Sequence, residues 1–174
     1  AAVTPRTRAI LINYPNNPTG AVLDIERMHE IAAVAEKHDL IVISDEIYDR
    51  LRYGGEHTTF SSLAGMRDRT LIIGGFSKNY AMTGWRLGYL IAPKDFVRTL
   101  QKIHQNFFIS ANSMAQWAGI AALTEAGPEV AKMRETYNAR RRVMIRRLKE
   151  IGFGLAVEPT GAFYVLANAK RFHP

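Results

Sequence analysis

Two apolar, β-branched runs, RAILINY (8–14) and LIVIS (40–44), flank a segment that first breaks and then turns helical, and this order constrains the fold most. The break is PNNPTG (15–20), whose two prolines and one glycine neither continue a strand nor open a helix cleanly. From Asp24 to about His38, Ile25, Met28, Ala32 and Ala35 share one helical face, and Asp24 stands where an N-cap belongs. LIVIS is a continuous apolar run, the mark of a strand buried on both faces. Strand, helix and strand in so short a span predict a parallel pair with a right-handed crossover. Sheets of this kind bind ligands at the C-terminal ends of their parallel strands. The residues just past each strand are therefore where function should be sought.

TLIIG (70–74) is a second strand of the buried type, and RLGYLIA (86–92), ended by Pro93, is a third. Too few residues separate those two for a helical crossover, so RLGYLIA is expected to run antiparallel. Helical stretches come next at about 95–105 and 113–125, AGP (126–128) punctuates, and a long helix is expected over 129–151. Gly152 and Gly154 end it, and LAVEP and AFYVLA read as strands of a new unit. The predicted class is α/β, with residues 1–127 in one partial domain and 128–174 as a linking helix and the start of a second.

Composition excludes several functions. At 174 residues the chain is long enough for one full core, and its 47% hydrophobic and 22% charged content is that of a globular protein. No apolar run reaches the roughly 18 residues of a membrane span, and the first residues lack a signal-peptide core, so no membrane role is expected. Cysteine is absent, which removes disulfide and thiol chemistry and fits a cytoplasmic location. The net charge of +7 is local: KMRETYNARRRVMIRRLK (132–149) holds eight Lys/Arg against one Glu, and the rest is balanced. Met133, Tyr137, Met144, Leu148 and Ile151 recur there at helical spacing, so the charge is the wet face of one amphipathic helix and no nucleic-acid partner is expected. The histidines lack metal-ligand spacing, and GGFSK lacks the spacing of a P-loop.

Polar residues gather after each parallel strand. Asn17 comes after RAILINY, Asp45 and Tyr48 after LIVIS, and Ser77 and Lys78 after TLIIG, with Arg86 eight residues on. A lysine at the exit of a buried strand can form a Schiff base with an aldehyde. A carboxylate from the neighbouring strand suits a protonated heterocyclic nitrogen, which is the pair that pyridoxal phosphate requires. A phenol and a carboxamide can hydrogen-bond the ring's phenolate oxygen, and Ser77 with Arg86 suits a phosphate.

In this order, PNNPTG, SDEIY and SKNYAMTGWRLGY resemble the central motifs of class I/II aminotransferases, the fold-type I pyridoxal-phosphate enzymes that include aspartate and aromatic aminotransferases. The resemblance runs from about Ile10 to Leu123 and continues less distinctly through GAFYV. It implies part of the mixed, mostly parallel sheet of the PLP-transferase large domain, plus the start of an α+β small C-terminal domain. It implies transamination between an amino acid and a 2-oxo acid, with Lys78 forming the Schiff base and shuttling the proton. Asp45 would pair with the pyridine nitrogen, Tyr48 with the phenolate oxygen, and Ser77 and Arg86 with the phosphate. Asn17 would bridge the phenolate oxygen and the substrate carboxylate, next to a cis Asn17–Pro18 bond. A homodimer is implied for the full-length protein, with NFFISANSMAQ (106–116) reaching the neighbouring site.

The family's phosphate loop, its ring-stacking aromatic and its carboxylate-binding arginine have no counterpart in this sequence. The chain, which starts without Met and stops after a strand-like run, is therefore expected to be a central-to-C-terminal piece that alone binds cofactor weakly or not at all. The same scaffold also serves PLP-dependent β-lyases and PLP-sensing domains of transcription regulators, which remain alternatives.

Overall fold

A computed structural model describes residues 2–172, so His173 lies outside it. β1 (Ala9–Asn13), β2 (Ile41–Asp45) and β3 (Thr70–Gly75) are parallel neighbours, and β4 (Gly88–Ile91) pairs antiparallel with β3. Both the parallel core and the reversed last strand agree with the sequence reading. The register sets Asn13, Asp45 and Ile73 side by side, so the three parallel strands end level.

The crossover helix α1 (Ile25–Lys37) is capped by Asp24, whose carboxylate accepts from the Arg27 N–H at 2.8 Å. Its inner face buries Met28, Ala32 and Ala35 against Leu40, Val42, Phe60, Leu63 and Met66. Each large side chain in this core contributes about 1.5–3 kcal/mol by leaving water. Ile25, expected on the same face, lies at the helix margin and stays exposed.

β3 runs directly into the short helix α2 (Phe76–Asn79), which carries Ser77 and Lys78. A tight turn over 83–85 then leads to β4. Helices α3 (Lys94–Phe107), α4 (Ser113–Glu125) and α5 (Gly127–Ile151) complete the helical part of the chain. Asn112 caps α4, and α5 ends at Gly152, whose φ of 102° closes the helix in the left-handed conformation. No helix is long and apolar enough to cross a membrane among the described residues. No cluster of metal-ligating side chains forms among them either.

The C-terminal segment departs from expectation. LAVEP and AFYVLA contribute only the ends of a small antiparallel ribbon, β5 (Gly154–Leu155) with β6 (Ala167–Asn168). Residues 160–162 take no strand because their backbone groups bond to loops of the main sheet. Thr160 and Gly161 N–H both donate to the Gly20 carbonyl at 2.9 Å, and Ala162 N–H donates to Leu51 at 2.8 Å. Tyr53 N–H in turn donates to the Thr160 carbonyl at 2.9 Å. Gly20, at φ 68°, allows this approach, since a Cβ there would overlap Pro159.

Candidate active site

The level strand ends make the floor of the site. Asn13 at the end of β1 donates from its amide to the Asp45 carbonyl at 3.2 Å, while its amide oxygen accepts from Asn17 N–H at 2.8 Å. One side chain thus ties the PNNPTG loop to β2. Asn16 closes the loop by accepting from both the Thr19 N–H and hydroxyl. The Asn17–Pro18 bond is cis, as expected, and so is Tyr14–Pro15, which the sequence reading did not anticipate.

Asp45 is half-buried at the end of β2. Burial pushes its carboxyl above the usual range, the Ile47 N–H at 3.3 Å partly opposes this, and the Glu46 charge adds to it. Among the described residues Asp45 forms no ion pair. Tyr48 is only 3% exposed, and its hydroxyl lies 2.7 Å from that of Tyr164. Burial pushes the Tyr48 phenol well up, the Tyr164 hydroxyl and the Asp45 charge reinforce this, and the nearby Asn17 amide opposes it.

Lys78 and Ser77 are half-buried on α2. The Lys78 Nζ lies 6.0 Å from the centre of the Phe163 ring, which meets Tyr48 edge to face at 5.5 Å. Arg86 sits at the far end of the next turn, exposed and at φ 53°. It donates to the Thr83 carbonyl at 3.2 Å, and the Thr83 hydroxyl donates to the Ser77 carbonyl at 2.9 Å. Ser77 and Arg86 therefore belong to one connected turn. The structure brings Asn17, Asp45, Tyr48 and Lys78 to a single sheet edge, with Ser77 and Arg86 beside them.

Several contributors were missed from the sequence. Asn79, next to Lys78 and buried, donates from its amide to the Asp49 carboxylate and accepts from Arg50 N–H at 3.4 Å. This pins α2 to the turn that carries Tyr48. Beneath the floor, the buried Glu46 carboxylate collects the Ser44 hydroxyl (2.8 Å), the Tyr14 hydroxyl (3.0 Å), the Phe60 N–H (3.0 Å) and His57 Nε2 (2.7 Å). Phe163 and Tyr164 arrive with the 159–162 turn. One signal for that turn was present: PTGA recurs at 18–21 and 159–162, the two turns that bond through Gly20.

The donor set fits pyridoxal phosphate: an amine for the aldehyde, a carboxylate without a cation for the ring nitrogen, and a buried phenol for the ring oxygen. The fold and this site place the chain in the class I and II aminotransferase family, whose model matches residues 1–171. Members of this family depend on pyridoxal phosphate. Among individual relatives, the aspartate/prephenate aminotransferase of Thermus thermophilus is 42% identical over 176 residues, covering 99% of this chain and 45% of that protein. The putative aminotransferase YugH of Bacillus subtilis is 46% identical over 170 residues, covering 98% of this chain and 44% of its own length. The crystal structure of an aromatic aminotransferase from Pyrococcus horikoshii superposes with a TM-score of 0.92 at 42% identity, over 95% of this chain and 45% of that one. The chain thus spans under half the length of the relatives it matches.

Proposed function

We propose that this chain is the lysine-bearing part of a pyridoxal-phosphate-dependent aminotransferase that moves an amino group between an amino acid and a 2-oxo acid. The observation that carries this reading is the placement at one sheet edge of Lys78, of an Asp45 carboxylate with no cationic partner among the described residues, and of the buried Tyr48 hydroxyl. When bound, the cofactor supplies an aldehyde for Lys78 and a ring that accepts electrons from the substrate's α-carbon. Asp45 would pair with the ring N–H, and Tyr48 would donate to the ring oxygen. The Lys78 amine takes the proton from the substrate α-carbon and returns it on the product side. Ser77 and Arg86 would hold the phosphate, and Asn17 would face the ring oxygen and the substrate carboxylate.

The names of the relatives favour an aspartate or aromatic amino acid as donor. Residues 1–127 would belong to the cofactor-binding domain and 128–174 to the link and start of a smaller one, with α5 beginning at the boundary. A homodimer in the cytoplasm completes the reading. Phe107, Phe108, Ile109, Met114 and Trp117, all more than 70% exposed, offer an apolar surface to a second copy.

The test is borohydride reduction of the full-length protein with pyridoxal phosphate, then peptide mapping and an assay for 2-oxo acid from aspartate and aromatic amino acids. An adduct on Lys78 with 2-oxo acid formation is expected; an adduct elsewhere, or none, sinks the reading. The 174-residue chain on its own is expected to show no stoichiometric visible band with the cofactor. A band that appears and is lost in Lys78→Ala would overturn that expectation.

Asp45 carries a further prediction. Its raised value means that the ionised carboxyl opposes folding in full above the raised, folded value, and the penalty fades as pH falls from there to the ordinary aspartate value of 3.8, below which it is gone. Asp45→Asn is therefore expected to unfold in urea at pH 7 at or above the wild-type midpoint while retaining cofactor poorly. A clearly lowered midpoint would show that the carboxylate serves the fold instead.

A further inference from the structure

Tyr164 reaches the candidate site from the far end of the chain, 116 residues after Tyr48, and the proposed chemistry gives it no role. Its hydroxyl oxygen lies 2.7 Å from that of Tyr48. The two rings meet edge to face with centroids 5.7 Å apart. The segment leading to Tyr164 is held by the Gly20 and Leu51 carbonyls, and the Tyr53 hydroxyl binds the Ala162 carbonyl. Arg141 donates to the Pro159 carbonyl at 2.6 Å and lies over the Tyr53 ring. Tyr164 is thus presented by a braced turn.

A phenol hydroxyl has one proton to donate and lone pairs with which to accept. Between two such groups one donates and the other accepts. In the proposed aminotransferase site, Tyr48 gives its single proton to the ring oxygen of pyridoxal phosphate. It then has none for Tyr164, and Tyr164 must be the donor of the pair.

We infer that Tyr164 is a positioning residue for the cofactor's ring oxygen, acting through Tyr48 in a directed chain of hydrogen bonds from Tyr164 to Tyr48 to that oxygen. The inference rests on the aminotransferase reading of Tyr48. A hydroxyl that accepts a hydrogen bond becomes a stronger donor, so the chain favours the anionic form of the ring oxygen. Tyr164, Asp45 and the non-titrating Asn17 amide bear on Tyr48, Tyr137 packs on the same cluster, and Lys78 lies beyond the Phe163 ring. Asp45 bears on the ring nitrogen, which leaves Tyr164 as the hydroxyl that directs Tyr48 toward the ring oxygen.

The test is a spectrophotometric pH titration of the visible band of pyridoxal phosphate bound to the full-length protein. It compares wild type, Tyr164→Phe, Tyr48→Phe and the double variant. Tyr164→Phe keeps the ring and is expected to raise the midpoint by roughly half a pH unit, because the anionic oxygen loses support. Tyr48→Phe is expected to raise it further, and adding Tyr164→Phe to that background is expected to change nothing more. An unchanged midpoint in Tyr164→Phe overturns the inference. So does an equal shift in both backgrounds, which would mark a purely structural tyrosine. If wild-type protein develops no visible band, the aminotransferase reading falls and this inference with it; a wild-type band with no response to Tyr164→Phe removes the inference alone.

Discussion

Lys78→Ala is expected to lower 2-oxo acid formation by the full-length protein by about 10,000-fold, the upper range for loss of a positioned acid–base group. The variant also loses the amine proposed to capture the aldehyde, so on this reading both jobs end together. Folding should hardly change. Lys78 is half-buried, and its visible contact is the Phe163 ring at 6.0 Å, a cation–π contact worth about 0.5–1 kcal/mol. The Asn79–Asp49 pair that docks α2 is untouched. Small primary amines added to Lys78→Ala should restore part of the rate by carrying the proton, whereas Lys78→Arg should not restore it, because its guanidinium stays protonated. Turnover within tenfold of wild type in Lys78→Ala, measured in a single-turnover assay, would remove Lys78 from the chemistry.

The largest loss of stability is expected at Glu46. Its carboxylate is only 5% exposed and accepts from Ser44, Tyr14, Phe60 and His57. Glu46→Ala leaves the Phe60 N–H and the Ser44 hydroxyl facing an apolar core, and His57 loses its partner. Tyr14 keeps one acceptor, the Thr58 carbonyl at 3.1 Å. Breaking a buried charged network of this kind costs about 3–5 kcal/mol, readable as a shift of the urea midpoint. A loss of less than about 1 kcal/mol, the figure for an exposed pair, would show that the network is solvated.

The pH dependence of this network has a definite sign. Burial pushes the Glu46 carboxyl up, but the bonds from His57, Phe60, Ser44 and Thr59 together hold it below the ordinary glutamate range. Its stabilisation is thus fully present above the ordinary value of 4.5 and is lost as pH falls through the lower, folded value. Asp45 and Asp49, both pushed up by burial, act oppositely, and their penalties are relieved as pH falls. Acid unfolding should therefore be shallower in Glu46→Gln than in wild type.

Much of the candidate site's placement is legible in the sequence because its parts are local. Asp45, Tyr48 and Lys78 each come within a few residues of an apolar run, and parallel strands that end level bring such positions together. The helix caps at Asp24 and Asn112 are local in the same sense. Glu46 was hidden because it is next to Asp45 and strand alternation sends it to the opposite face, where its partners come from other segments. AFYVLA was misread for a related reason. Its apolar pattern suits a strand, but its first residue, Ala162, donates its N–H to Leu51, and the Thr160 and Gly161 N–H groups just before it donate to Gly20, both far away in the sequence.

By itself, then, the sequence determined the parallel βαβ core, the reversed last strand, the helix limits and the polar residues at the strand ends. These depend on periodicity and turn chemistry within a few residues. Only the tertiary structure decided which hydroxyl meets Tyr48, which carboxylate holds Asn79 and what surrounds Glu46. Those pairs span 116, 30 and 11 residues, and a hydrogen bond a few tenths of an ångström from its best length depends on how whole loops dock.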